Sequence, residues 1–243
     1  MIARSSKLIA KNTILLYFRM IVTMVITLYT SRVILQILGV DDYGIYKAVG
    51  GIVGFLAFLN NALATASSRF LTYGMGEGDD DKLRKIFSTT LTAHILIALI
   101  IVILAETVGL WFLNNKLIIP AERYDAAIFA FHFSILAAFF ALTQIPYNAT
   151  IIAHERMNVF AYVSIVDAVL RLLIVYAIAI GHIDKLKLYA TLLCLVQVAI
   201  MAFYRIYCSR RFKEVAFIFC FDKEIFREII FPLSGVKKRR DVR

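Results

Sequence analysis

Only three prolines, three cysteines and one tryptophan occur in 243 residues, and acidic side chains are few, 17 against 27 Lys and Arg. With so few helix breakers, 61% hydrophobic side chains and a mean hydropathy of +0.78, the composition lies outside the range of soluble globular domains. The cysteines, Cys194, Cys208 and Cys220, have no CxxC spacing and fall in or near one apolar segment, so free thiols are expected rather than a disulfide or a zinc site. No GxxxxGKS/T, HExxH or GxSxG motif and no pair of catalytic carboxylates occurs. We therefore expect no enzyme, no cofactor and no metal site. The net charge of +10 comes from basic residues at the ends of apolar segments, not from a soluble basic face, and this argues against a nucleic-acid partner.

What the chain has in abundance is apolar sequence long enough to cross a bilayer. Between Ile14 and Leu38 only Arg19, Arg32 and Gln36 interrupt the run. At about 1.5 Å per residue, such a helix crosses a hydrocarbon core of roughly 30 Å with some tilt. The basic start MIARSSKLIAK precedes an apolar stretch too long for a signal-peptide core and without a small-x-small cleavage site, so it reads as retained. Further apolar segments fall at about Gly44 to Tyr73, Leu83 to Leu113, Tyr124 to Ile152, Asn158 to Ile180 and Leu186 to Tyr207. The expectation is an all-α, polytopic membrane helix bundle of six spans. Its parts are an N-terminal tail over 1–11, a six-helix lobe over 12–212, and a stretch over 213–243 that is a basic tail or an incomplete seventh helix.

The connections are short: GVDD at 39–42, GMGEGDDD at 74–81, NNKLIIP at 114–120, HERM at 154–157 and GHIDK at 181–185. Short loops imply antiparallel neighbours. Lys and Arg concentrate at the N-terminus and after the second, fourth and sixth spans, which puts those parts in the cytoplasm. Trp111 and the Asn114-Asn115 turn then lie at the outer surface. The acidic cluster Glu77, Asp79, Asp80 and Asp81 lacks calcium-loop spacing and reads as a cap on a helix starting at Lys82.

Charged groups inside the spans are the candidate functional residues, because charge in hydrocarbon is costly and usually faces protein or water. Arg19 and Arg32 admit two readings. They snorkel to an interface, or they face a wet lumen where a guanidinium offers bidentate donors to phosphate oxygens. Asp167 and Arg171, four residues apart, share a helix face and form either a structural pair or a coupling switch. His94, Glu106 and His132, each isolated in sequence, read as packed or interfacial. Gly50, Gly51 and Gly54, with Ala62, Ala64, Ala66, Ser67 and Ser68, permit close helix approach. Pro146 lies among Gln144, Tyr147 and Asn148, and frees a backbone carbonyl.

The runs SRVILQILGVDDYGIYKAVGGIVGF, NNALATASSRFLTYGMGEGD and QIPYNATIIAHERMNVFAYVSIVDAVLRL resemble the polysaccharide biosynthesis and export proteins, the lipid-linked oligosaccharide flippases of the multidrug/oligosaccharidyl-lipid/polysaccharide exporter superfamily. The resemblance covers about Lys7 to Phe231. It implies two six-helix lobes around a V-shaped cavity that alternates in access, with the passenger at the lobe interface. This chain then corresponds to an N-terminal lobe, and FPLSGVKKRRDVR stands where a seventh span would begin, as in a chain cut short. The resemblance further implies a bacterial inner-membrane location, membrane lipids and a second six-helix lobe as partners, and a passenger with a pyrophosphate headgroup. Arg19, Arg32 and Arg171 would bind that headgroup, with Asp167 as gate or coupling acid. A drug or cation antiporter of the same superfamily and a non-transporting fragment are the alternatives.

Overall fold

The computed structural model describes residues 2–56, 59–180 and 184–215, and side chains over 10–55, 64–180 and 184–215. All regular structure among them is helical. In lipid, a segment must satisfy its own backbone hydrogen bonds, and the helix is the open-ended way to do so. The helices are α1 (Ile2–Leu56), α2 (Leu59–Glu77), α3 (Asp80–Leu104), α4 (Leu110–Lys116), α5 (Tyr124–Ala153), α6 (Met157–Ile180) and α7 (Lys185–Arg211). A π-helical turn, Ala105–Gly109, joins α3 to α4 without a break. Five stretches are long and apolar enough to cross a membrane: Ala10–Phe55, Asp80–Lys116, Ala121–Ala153, Met157–Ile180 and Lys185–Arg211. The protein is a multi-pass membrane bundle.

Two boundaries differ from the sequence reading. The first stretch, 46 residues, is far longer than one crossing needs, and it is interrupted at Gly39, where φ is 83° and ψ is 171°. The expected GVDD connection therefore shrinks to one residue, with Val40, Asp41 and Asp42 already helical. The described part of the second expected span comprises the far leg of α1 and α2. At the other turn, α3 begins at Asp80 instead of Lys82, because Asp79 caps it, accepting from the amides of Asp81 and Lys82 at 3.0 and 3.1 Å. The acidic cluster caps a helix, as its composition indicates. Of the expected 213–243 segment only Lys213–Val215 falls within the described residues.

Helix α5 is the central element, packed against α1, α2, α3 and α7, while α1 lies along α6. Its inner face carries Ala126, Ala127 and Ala130, which let backbones approach closely where lipid offers no hydrophobic drive between helices. One apolar cluster fills the end near Gly39, with Val33, Ile34, Val49, Val53, Phe131, Ile178 and Leu186. A second fills the opposite end, with Leu71, Phe87, Tyr147, Ile151, Tyr204 and Phe212. Large apolar residues meanwhile face outward: Met24, Leu28 and Phe55 are 60%, 62% and 81% exposed. That inversion is what acyl chains as solvent produce. Cys194 and Cys208 are buried free thiols, and Cys220 lies outside the described residues.

Gly39 occupies a backbone region open essentially to glycine, yet a Cβ there would meet nothing within 4 Å. Gly39→Ala is therefore expected to destabilise the bundle by about 1–3 kcal/mol through backbone strain alone. Gly44→Ala, also in open space but helical, should be neutral or stabilising by up to about 1 kcal/mol. Denaturant unfolding in mixed micelles would separate the two.

Candidate functional site

The intramembrane charges are organised by one stripe of α6. Phe160, Ser164, Asp167 and Arg171 follow at intervals of four, three and four, so they stand in a row on one face. Arg19 of α1 meets the beginning of that row. Its guanidinium carbon lies 4.7 Å from the Phe160 ring centre, and its Nη1 donates to the Ser164 hydroxyl at 3.4 Å. The Arg19 Nε is buried and has no hydrogen-bond partner. Arg19 thus leans on protein and does not reach along the lipid face, but its donor set is not used up.

At the other end of the row, Arg171 donates through Nε alone to both oxygens of Asp167, at 3.0 and 3.1 Å. Its two terminal nitrogens, the fork that matches a phosphate, have no protein partner among the described residues. Ser164 and Arg171 are seven residues apart, about 10 Å along the axis. Two cations with spare donors therefore share one seam.

Tyrosines occur on the neighbouring helices. Tyr46 and Tyr189 meet edge to face with ring centres 4.8 Å apart within the apolar cluster near Gly39. Tyr204 is buried in the opposite cluster. Beyond Arg171, Tyr29 and Tyr176 share a hydrogen bond of 2.9 Å between α1 and α6. The sequence reading passed over these residues. The spacing from Phe160 to Arg171 was the available signal for the α6 row, whereas the tyrosines of α1 and α7 are brought in by tertiary packing.

Arg32 does not join this group. Thirteen residues beyond Arg19, it points about 140° away around α1, is exposed, and has no ion pair or hydrogen bond among the described residues. Among the described residues, two open recesses also lie apart from the arginines of the seam. One, of about 760 Å³, follows α2 past Ser68, Arg69, Thr72, Tyr73, Gly76 and Glu77. The other, of about 360 Å³, lies beside the Gly39 break against Leu117 to Pro120. Gln144, next to Pro146, is held by Gln197 of α7 at 3.0 Å.

Both ends of the bundle are fastened by charge. At the Gly39 end, Arg123 bridges two turns: its Nε donates to Asp42 at 2.7 Å and its Nη1 to Asp184 at 2.6 Å. Lys185 adds a bond to the Ile37 carbonyl at 3.2 Å. At the other end His154 pairs with Glu214 and stacks on Phe212, with ring centres 4.0 Å apart. The turns after the first, third and fifth spans thus meet on one side, as antiparallel alternation requires.

No protein-family model matches the chain, and no curated protein does either. Among solved structures, it is similar to the outward-facing conformation of a multidrug resistance MATE family transporter of the MOP superfamily, with TM-score 0.70 and 17% identity. It is also similar to a MOP superfamily transporter from Pyrococcus furiosus described as having a binding pocket of reverse polarity, with TM-score 0.67 and 15% identity. Each similarity covers 90% of this chain and 50% of the other. The chain therefore has the fold of half of such a transporter and spans half the length of either.

The clasp at the Gly39 end has a pH signature. Burial pushes the Asp184 carboxyl up, but the Lys187 amide and the Arg123 guanidinium outweigh it and hold the group below the usual carboxylate range. A depressed carboxylate contributes stability above its unfolded value, about 3.9, and that contribution fades as pH falls through the folded value. Arg123→Gln is expected to cost about 1–3 kcal/mol at neutral pH. The deficit should shrink in unfolding measured below about pH 4, where wild type loses the same interaction.

Proposed function

We propose that this chain is one lobe of a membrane transporter that moves a lipid-linked oligosaccharide across the bacterial inner membrane by alternating access, its N-terminus in the cytoplasm. The observation that carries the reading is the α1–α6 seam, where Arg19 and Arg171 hold spare guanidinium donors along one row of α6, with the Tyr29–Tyr176 pair joining the same two helices. A pyrophosphate headgroup is dianionic or more at neutral pH, and two guanidinium groups set against one row of α6 suit such an anion followed by sugar, which stacks on aromatic rings. Asp167 is the internal counter-ion. It neutralises Arg171 while the seam is empty and yields the guanidinium when a phosphate arrives, so the charge is never bare in hydrocarbon.

A seam on one bundle is half of a cleft. The other half is a second six-helix lobe, in keeping with the half-length match to MOP transporters. Arg32 serves the same passenger only where such a lobe brings a cleft to its side of α1.

One observation favours a second reading, a drug or cation antiporter. The first similar structure is described as a multidrug resistance transporter, and the exposed pair Tyr29 and Tyr176 offers flat rings to a planar cation. The two readings differ in the sign of the ligand.

Binding of undecaprenyl pyrophosphate to the full chain in nanodiscs tests this. Arg19→Ala and Arg171→Ala should each weaken binding about 10- to 100-fold, the worth of a charge-assisted pair, with Arg32→Ala unchanged. Ethidium that binds wild type tightly, with the pyrophosphate lipid indifferent to both substitutions, would favour the antiporter.

A further inference from the structure

Two ionisable residues that stand alone in the sequence meet in space. Glu106 lies in the π-helical turn between α3 and α4, and its Oε2 is 3.3 Å from His132 Nε2 of α5. Both are part-exposed, 37% and 46%, on the outer face of the bundle and away from the α1–α6 seam. His132 is eight residues into α5, about 12 Å from its start, so the pair sits inside the apolar layer. Glu106 is not there by default of packing. An extra residue in the turn is a costly irregularity that recurs at functional positions, and here it turns a carboxylate toward a neighbouring helix.

The tautomer follows from the second ring nitrogen. His132 Nδ1 is 2.9 Å from the Ile128 carbonyl, and a carbonyl only accepts, so Nδ1 carries a hydrogen and donates. A neutral ring so fixed turns a lone pair, not a hydrogen, toward Glu106. A lone pair facing a carboxylate repels. The observed approach therefore requires one more proton between Nε2 and Oε2, held on the ring as imidazolium or on the acid as carboxyl. With that proton the pair is neutral overall and tolerable in lipid; without it the pair carries a net negative charge and loses its contact.

We infer that Glu106 and His132 form a one-proton binding site, through which a pH difference across the membrane acts on the packing of this bundle. Neither residue touches the seam. Protonation closes the contact, with the proton arriving from water and lodging between Nε2 and Oε2. Loss of the proton to water opens it and frees the π-helical turn to regularise. The movement has a route onward. Gly109, closing the same turn, packs so tightly that a Cβ would lie 3.0 Å from Phe131, the neighbour of His132, and 3.3 Å from Ile52 on the far leg of α1. A change in the turn therefore presses on Phe131 of α5 and on the far leg of α1.

The other charged groups at this end of the packed elements are engaged elsewhere. Lys116 lies over Trp111, Lys187 of α7 over Phe129, Lys47 of α1 over Tyr43, and Arg123 is taken by Asp42 and Asp184. Asp125 stands in the first turn of α5, nearly two turns from His132.

Nitrogen NMR of the ring-labelled full chain in nanodiscs, titrated with pH, reads the site directly, and His132→Gln assigns its signals among the four histidines. At neutral pH the wild-type spectrum should show Nε2 of His132 engaged with a shared proton. Glu106→Gln should abolish the shared-proton signal of His132 Nε2 at the same pH. A wild-type Nε2 that is bare at neutral pH overturns the site whether or not the variant folds. So does a His132 titration that is the same in wild type and Glu106→Gln. Failure of pyrophosphate binding at the seam would leave either result standing.

Discussion

Hydrocarbon solvates neither a charge nor an unpaired backbone group, and that constraint shapes each feature of the bundle. It makes the chain helical, and it sends serine and threonine hydroxyls back to their own helices, as Thr30, Thr92, Ser134 and Thr150 do toward the carbonyls four residues earlier. It also explains where the charges are. Asp167 and Arg171 are adjacent on one helix, Arg19 leans on an aromatic ring and a hydroxyl of the next, and Glu106 meets His132 across two helices. The exposed apolar surface needs no such care. Large side chains point outward and alanines inward, because in lipid the packing of backbones, not the burial of leucine, holds helices together.

From this constraint the bundle acquires two kinds of polar structure. At its ends, where water is near, charges act as fasteners: Arg123 gathers the turns at Asp42 and Asp184, and His154 draws Glu214 back onto the α5–α6 turn. Within the span, polar groups are fewer and less completely satisfied. Arg19 Nε and the terminal nitrogens of Arg171 are left with donors to give. An unsatisfied polar atom in a bilayer is expensive, and Arg19 Nε shares that condition with side-chain atoms of Ser67, Arg84, Thr90, His94 and Asn148 among the described residues.

Much of the architecture was legible in the sequence because its rule is simple. Apolar runs of known length, short polar connections and the alternation of basic ends lead to antiparallel membrane helices, and the described turns fall on the sides that alternation demands. Asp79 as a cap was readable from the acidic cluster before α3. The break at Gly39 was read as a four-residue connection, since sequence shows that a helix is interrupted but not that one residue in an unusual conformation suffices. In the same way Asp167 and Arg171 were visible as a pair, being local. Arg19 against Ser164, Tyr46 against Tyr189 and Glu106 against His132 are contacts across 145, 143 and 26 residues, which periodicity does not encode. The π-helical turn leaves no sequence mark at all: AETVG reads as ordinary helix.

The account rests on the α1–α6 seam being wet and open to an anion. The direct measurement is the reactivity of a cysteine at Ser164, in a background where Cys194, Cys208 and Cys220 are replaced, toward a charged, membrane-impermeant thiol reagent. The seam predicts labelling of the folded protein in bilayers and protection by undecaprenyl pyrophosphate. A cysteine there that reacts only with lipid-soluble reagents, and is indifferent to the pyrophosphate lipid, would contradict it.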